Sequence, residues 1–420
     1  MADTNTPTTS TETTNSDTTD RDATTEFPSD DEARSVLERL KALLDEHDPS
    51  TESAQEFRGH QYDAGLAWVH HEPHAGGMGA RPDLQSHVER HLHAAGLSIR
   101  RPVEFFVYLA GPTIATHGTE EQCDRLLRPM FTGEELWCQL FSEPGAGSDF
   151  AGLAASAVRD GDEWVVNGQK VWNTLAHLAD RGMLVTRSDP NAPKHKGMTY
   201  FALDMRAPGV EVRPLRQITG EAEFNEVFLT DVRIPDAHRL GEPGQGWQVA
   251  NFTLNNERVA IGGSAQPREG RLVGVVAEVW RTRPELRTAD LHERLLRLWV
   301  EAEVARLTGE RLRQKLARGV PGPEGAAMKL SFARINQQLT GLELELLGED
   351  GLRYSDWTMV QPEQVDFTGR DAGYRSLRAK GNSIEGGTSE ILRNIVAERV
   401  LGLPAETRVD KDVPFRELSR

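Results

Sequence analysis

The order in which hydrophobic periodicity changes along this chain constrains its fold more than any other feature. From about Glu32, Val36, Leu37, Leu40, Leu43 and Leu44 recur at helical spacing with charges between them, which predicts an amphipathic helix. A Gly/His/Pro-rich loop from His70 to Gly79 interrupts the pattern, and helical spacing resumes from Leu84 to about Phe131. Between Trp137 and about Arg239 the character changes to short β-branched runs such as Glu163-Trp-Val-Val, Met183-Leu-Val-Thr, Thr199-Tyr-Phe-Ala-Leu and Glu226-Val-Phe-Leu, punctuated by Gly and Pro. These read as strands. From Trp247 to about Leu401 the spacing is helical again, broken at Gly262-Gly263, Arg283-Pro284, Gly319 to Gly325 and Gly348 to Gly351, so four or five helices follow, enough for a bundle.

The expected organisation is therefore α+β. A tail covers residues 1–31, a helical domain 32–136, a β domain 137–240, a helical bundle 241–405 and a C-terminal tail 406–420. A β domain between two helical ones makes a cleft that could hold a large planar ligand. The first 30 residues are nearly half Thr and Ser. Such a segment cannot bury enough area to offset its ordering entropy, so disorder is expected, and its acidity argues against a mitochondrial transit peptide.

Charge narrows the partners. Asp and Glu outnumber Lys and Arg by 65 to 48, and the formal charge of −17 repels nucleic acid and anionic lipid at long range. No apolar run approaches the length of a membrane helix, and no apolar signal core precedes the first helix. Cys123 and Cys138 make neither a disulfide framework nor a metal-ligand spacing, so a reduced, cytoplasmic setting is expected. His70, His71 and His74 cluster, as do His87, His91 and His93, with His87 and His91 one helical turn apart. Without a third well-spaced ligand, no metal site is expected there.

Two segments carry chemistry. Leu140-Phe-Ser-Glu-Pro-Gly-Ala-Gly-Ser-Asp149 packs hydroxyls, a carboxylate and two glycines into one turn at the entry to the β domain, and can present backbone N–H groups and hydroxyls to phosphate or to ring carbonyls. About 30 residues on, Trp172-Asn-Thr174 would place an aromatic plane beside a hydroxyl on one face of a strand. Taken singly, an ordinary glycine-rich loop and a core Trp explain them as well.

Together, and followed by Glu226-Val-Phe-Leu-Thr-Asp-Val-Arg-Ile-Pro235 and Ile384-Glu-Gly-Gly-Thr-Ser-Glu-Ile-Leu-Arg393, they resemble the acyl-CoA dehydrogenase family. The resemblance runs in collinear order over roughly residues 32 to 405. It implies a helical N-terminal domain, a small β-barrel-like middle domain and a C-terminal four-helix bundle. FAD would lie between the last two, in dimers, tetramers or a heteromer with a related subunit. Ser142 matches the hydroxyl near the flavin N3/O2 edge, Ser148 the one near the pyrophosphate, Trp172 the ring flanking the isoalloxazine and Thr174 the hydroxyl near N5. Gly387, Thr388 and Glu390 match the loop that closes over FAD.

The catalytic base departs from the commonest family pattern, in which a Glu precedes the Gly-Thr of that loop. Here Gly386 stands at that place. It can supply an N–H to a substrate carbonyl but cannot take a proton. Other members carry the base on a bundle helix, and in the matching run Leu254-Asn-Asn-Glu-Arg-Val-Ala-Ile-Gly-Gly263 the residue is Glu257. Glu385 is a second candidate. A base working on a weakly acidic thioester α-proton needs a raised pKa, so Glu257 is expected to be desolvated. Arg258 matches an arginine toward the CoA side, although an ordinary ion pair would explain it too.

A second departure concerns FAD. The Arg, Phe-Gly and later Gln with which many members reach a neighbouring subunit's cofactor are missing: Arg281 to Glu293 is charged and Pro-interrupted, and Glu345 stands where the Gln would be. The resemblance implies α,β-dehydrogenation of an acyl-CoA, with an electron-transfer flavoprotein or similar acceptor reoxidising the flavin. Two alternatives are a non-catalytic or half-site partner subunit and a flavin oxidase or N-hydroxylase on the same scaffold.

Overall fold

The computed structural model describes residues 27–97, 104–262, 267–316, 323–365, 370–408 and 410–418. The Thr/Ser-rich segment through residue 26 lies outside them.

Five helices come first: α1 (Asp31–Glu46), α2 (Ala54–Asp63), α3 (Gln85–Ala94), α4 (Glu104–His117) and α5 (Glu120–Thr132). Their ends are written in the sequence. The Asp30 side chain accepts from the Ala33 N–H, and Ser53/Glu56 and Thr119/Gln122 form reciprocal capping boxes at α2 and α5, each supplying orphan first-turn donors with partners. Gly133, left-handed at φ 86°, closes α5, as a helix C-terminus favours. The apolar stripe of α1 (Ala33, Val36, Leu40, Leu43) buries against Phe57, Val88 and Leu92. Phe106, Leu109, Ala110 and Ile114 of α4 lie in a larger core shared with the sheet.

Eight strands follow: β1 (Trp137–Leu140), β2 (Ser156–Asp160), β3 (Glu163–Thr174), β4 (Arg181–Arg187), β5 (Met198–Asp204), β6 (Val210–Leu215), β7 (Phe224–Pro235) and β8 (Arg239–Gly244). They run in the order β6-β7-β3-β2-β4-β5-β8, with β1 on β4. The expected β-barrel-like domain is an open sheet. Its two halves meet through one parallel pair, Ser156 with Arg187, and diverge around a core of Leu140, Trp164, Val166, Leu184, Phe201 and Ile234. The last strand reaches Gly244, a few residues past the expected boundary. In the C-terminal segment, Phe415 is buried beneath the Arg187 guanidinium at 3.8 Å, and Lys194 pairs with Asp410 at 2.6 Å.

The remaining helices are α6 (Gly246–Gly262), α7 (Leu272–Thr282), α8 (Ala289–Leu316), α9 (Gly325–Leu347), α10 (Ala372–Gly381) and α11 (Ser389–Ile395). Helix α9 is central and packs against α6, α7, α8, α10 and α11. A buried hydroxyl group of three residues ties the domains together. Thr253 of α6 bonds Thr113 of α4 at 3.0 Å and lies 3.3 Å from the Tyr200 hydroxyl of β5.

Candidate active site

Two bulges in β3 build the first wall. At the first, Gly168 has φ 156°, and a Cβ there would meet Ala155 at 2.5 Å. At the second, between Lys170 and Asn173, Trp172 adopts φ 62°. That left-handed residue breaks the strand alternation expected for Trp172 and Thr174. It turns the indole outward, 58% exposed, edge-on to Phe224 at 5.8 Å, while Asn173 is buried and Thr174 half-buried.

The glycine-rich turn docks beside this shelf. The Val171 N–H donates to the Ser142 carbonyl at 2.9 Å. Glu143 holds the turn: its carboxylate accepts from the Ala154 and Ala155 N–H groups and from Lys170 Nζ at 2.8 Å. The Lys170 ammonium also donates to the Phe141 carbonyl. Lys170 is fully buried, so burial pulls it below the ordinary lysine value and Glu143 acts against that. Ser148 is exposed at the rim of the turn.

The second wall carries the acids. Glu257, on α6, is 8% exposed, in line with the desolvation a base needs. Gln139 of β1 donates to its Oε2 at 3.3 Å, and the Gln139 carbonyl accepts from Asn173 Nδ2 at 2.8 Å. The aromatic shelf and the carboxylate are thus joined through one residue. Arg258 follows on the same helix, but its side chain lies outside the described residues.

The loop after α10 closes the group. Gly386 and Gly387 take φ 61° and 94°, a left-handed pair that favours glycine. Thr388 caps α11 by accepting from the Ile391 N–H, and Glu390 is exposed and pairs with Arg393 at 3.2 Å. Glu385 is engaged elsewhere. Both its oxygens accept from the Arg378 guanidinium and one from Asn382 at 2.6 Å, while Arg378 also forks onto Glu223 and lies over Phe224 at 5.6 Å. From α9, Lys329, 1% exposed, donates to the Gly387 carbonyl at 2.7 Å.

Ser142, Trp172, Thr174, Glu257 and the 385–388 loop therefore gather in one contact network, with Ser148 and Glu390 at its margin. Sequence reasoning missed Glu143, Lys170, Gln139, Asn173, Arg378 and Lys329. Lys329 did leave a signal, a lone cation among Ala326 and Ala333 on the buried face of α9. Of the clustered histidines, His87 and His91 lie against Phe27 at 5.2 and 5.0 Å. One trio among the described residues, His47, Glu52 and His60, brings three ligand atoms together. Its imidazoles stack with an interplanar angle of 11°, so their in-plane lone pairs do not converge. A cavity of about 400 Å³ opens between α9 and α11, lined by Arg334, Gln337, Ser383 and Arg393 among others. It contains none of the gathered site residues, and its arginines are already paired with Glu301 and Glu390.

The gathered residues fit a flavin. Asn173 Oδ1 is buried without a hydrogen-bond partner, an exposed indole stands beside it, and a Cβ on Gly145 or Gly147 would meet open space. Such a shelf beside a buried carboxylate, set between an open sheet and a helical bundle, defines the class of flavin-dependent oxidoreductases.

Comparison with known proteins shows the family within that class. Residues 30–134, 138–232 and 244–401 match the N-terminal, middle and C-terminal domains of acyl-CoA dehydrogenases. The chain is 42% identical over 338 residues to acyl-CoA dehydrogenase FadE34 of Mycobacterium tuberculosis, covering 80% of this chain but 44% of that protein. It is 37% identical to acyl-CoA dehydrogenase IpdE1 of the same organism, covering 71% of this chain and 75% of that one. Among solved structures, the Tcur3481-Tcur3483 steroid ACAD aligns with TM-score 0.67 at 25% identity, over 89% of this chain and 98% of that one. The ChsE4-ChsE5 complex of Mycobacterium tuberculosis aligns with TM-score 0.66 at 27% identity, over 89% and 97%. The chain belongs to the acyl-CoA dehydrogenase family, FAD-binding oxidoreductases that act on CH–CH groups.

Proposed function

We propose that this chain performs α,β-dehydrogenation of an acyl-CoA thioester, with Glu257 as the base, as one subunit of an assembly with a related chain. The carrying observation is the link from Asn173 through Gln139 to Glu257, which fixes a buried carboxylate relative to the aromatic shelf. Ser142, Trp172, Thr174, Gly387 and Thr388, with Ser148 and Glu390 at the rim, would hold FAD. When bound, FAD supplies the acceptor for the β-hydride. Glu257 takes the α-proton. The Gly386 backbone N–H stabilises enolate character on the thioester oxygen. Glu385, held by Arg378 and Asn382, anchors the loop and is not placed to take a proton. Arg258 would face the CoA moiety, and an electron-transfer flavoprotein or similar acceptor would reoxidise the flavin.

Two observations support a heteromeric assembly. Glu345, at the place of the family Gln, forms a two-pronged pair with Arg294 at 2.5 and 2.7 Å, leaving it committed within the bundle. Leu296, Val300, Val304 and Leu307 form a stripe along α8, each more than half exposed, and such a stripe suits a partner. The steroid ACAD and the ChsE4-ChsE5 complex support a two-chain assembly and place bulky polycyclic thioesters first among substrates to test. Among the described residues no helix is long and apolar enough to cross a membrane.

The test is the visible spectrum of the purified protein before and after anaerobic addition of acyl-CoAs. Bleaching of the flavin band by one thioester is the expected result. A bound flavin that no thioester bleaches, with rapid O2 consumption on another substrate, would establish an oxidase instead. A colourless protein that gains flavin only with a related subunit would establish the half-site partner.

A further inference from the structure

The C-terminal segment returns to the sheet beside the glycine-rich turn. Residues 401–408, beyond α11, are exposed throughout, and residues 410–418 then dock on the loop between β4 and β5. That loop contains Asp189-Pro-Asn-Ala-Pro193. Its two prolines have no N–H, which leaves its carbonyls short of local donors. The Phe415 N–H donates to the Ala192 carbonyl and the Arg416 N–H to the Pro190 carbonyl, each at 3.0 Å, and Pro414 pairs with Pro193 as an antiparallel bridge.

The side chains carry the contact inward. Phe415, 3% exposed, lies against the Arg187 guanidinium at 3.8 Å. Arg187 is 4% exposed, and its edge donates to the carbonyls of Ala151 at 2.6 Å, Leu153 at 3.3 Å and Lys194 at 2.6 Å. A planar guanidinium can bond at its edge and stack on its face at once. A ring that keeps water off the face strengthens the bonds at the edge.

The Ala151 and Leu153 carbonyls belong to the segment that follows the turn. In the same segment the Ala154 and Ala155 N–H groups donate to Glu143 at the start of the turn. Residues 151–155 are thus gripped from two sides, by Glu143 through N–H groups and by Arg187 through carbonyls. The far end of the turn is tied as well. Lys194 Nζ lies 3.0 Å from Asp149 and 2.6 Å from Asp410, so one ammonium is shared between the turn and the C-terminal segment.

We propose that Phe415 and Asp410 are positioning residues for flavin binding: the C-terminal segment clasps the Ser142–Asp149 turn through Arg187 and Lys194 and holds it in the shape that receives FAD. The proposal rests on the assignment of that turn to FAD. Each residue acts through another, and neither exchanges a proton or an electron. The chain that carries the clasp leaves the bundle after Gly387, Thr388 and Glu390, so one segment ties together the bundle and sheet sides of the flavin site.

Three full-length variants grade the clasp. Phe415→Leu keeps an apolar side chain and loses the ring face, Phe415→Ala loses both, and Asp410→Asn removes the charge facing Lys194. Each is read by the rate at which the flavin-loaded protein releases FAD on dilution, followed as a rise in flavin fluorescence, and by amide exchange over residues 142–155, which needs no bound flavin. Release should quicken by about 10-fold in Phe415→Ala and less in Phe415→Leu. In Asp410→Asn it should quicken by about 2- to 5-fold. Exchange over 142–155 should quicken in the same order, while flavin reduction with FAD in excess stays near the wild-type rate. A segment that merely covers the sheet would lower the melting temperature and leave release and exchange at their wild-type values. Folded variants with unmoved exchange would overturn the proposal. Faster exchange with unaltered FAD release would instead place the failure in the assignment of the turn to FAD.

Discussion

Gln139 bonds Asn173 and Glu257 at once: its carbonyl accepts from Asn173 Nδ2 at 2.8 Å, and its Nε2 donates to Glu257 Oε2 at 3.3 Å. Strand β1 thereby sets the distance between the aromatic shelf and the base. Gln139→Leu keeps the volume and the backbone carbonyl but frees the carboxylate. Flavin content should stay at the wild-type level while the rate of flavin reduction falls by about 10- to 100-fold, as misplacement of a reacting group does. Stopped-flow absorbance at saturating substrate measures this.

Trp172 is held at φ 62° and exposed, a conformation that costs a non-glycine residue about 1 kcal/mol or more. Trp172→Gly relieves that strain. Urea unfolding of the flavin-free protein should show stability unchanged or raised by about 1 kcal/mol, whereas flavin retained after gel filtration should fall sharply. A residue that serves the fold would lose both together.

The Glu143–Lys170 pair behaves in the opposite way. Both side chains are almost wholly buried, so removing one leaves the other charged and unpaired. Glu143→Gln should cost about 3 to 5 kcal/mol of stability. Replacing both, as Glu143→Leu with Lys170→Met, should cost less than the sum of the single changes. Urea midpoints of the four proteins give the coupling.

How much of this was legible in the sequence differs from element to element. The first helix was readable near Glu32, and α1 begins at Asp31, because apolar spacing of 3 and 4 is a local pattern. The loop motif at Ser142 and the shelf at Trp172 could be paired through their collinear order. The bulge that turns Trp172 outward was not readable, because it depends on register against β7, more than 50 residues away in the chain (Asn173 opposite Asn225). Nor were Gln139 and Arg378, whose roles arise only when β1 meets α6 and α10 meets the 221–223 loop. The docked C-terminal segment escaped because Phe415 is a lone aromatic whose partner, Arg187, lies in a strand of the central sheet.

Two histidines set a pH dependence of stability. Burial first, then His70 and His74, hold His71 down to about 4. Burial first, then Arg125, brings His238 to about 4, and its Nε2 lies 2.8 Å from Arg125, which donates to the neutral ring. The unfolded chain binds these protons near pH 6.5, before the folded one does. Stability is therefore full above about pH 6.5, falls as pH drops from there toward 4, and levels off below for these groups. Melting temperatures across that window should decline, and His71→Gln should make the decline shallower.

The central claim is that Glu257 is the base of an acyl-CoA dehydrogenation. The direct measurement is anaerobic mixing of the flavin-loaded protein with the acyl-CoA that bleaches it, for wild type and Glu257→Gln. Glu257→Gln should retain its flavin band and fail to bleach, while Glu385→Gln should bleach once its loop is in place. Bleaching of Glu257→Gln at the wild-type rate would contradict the account.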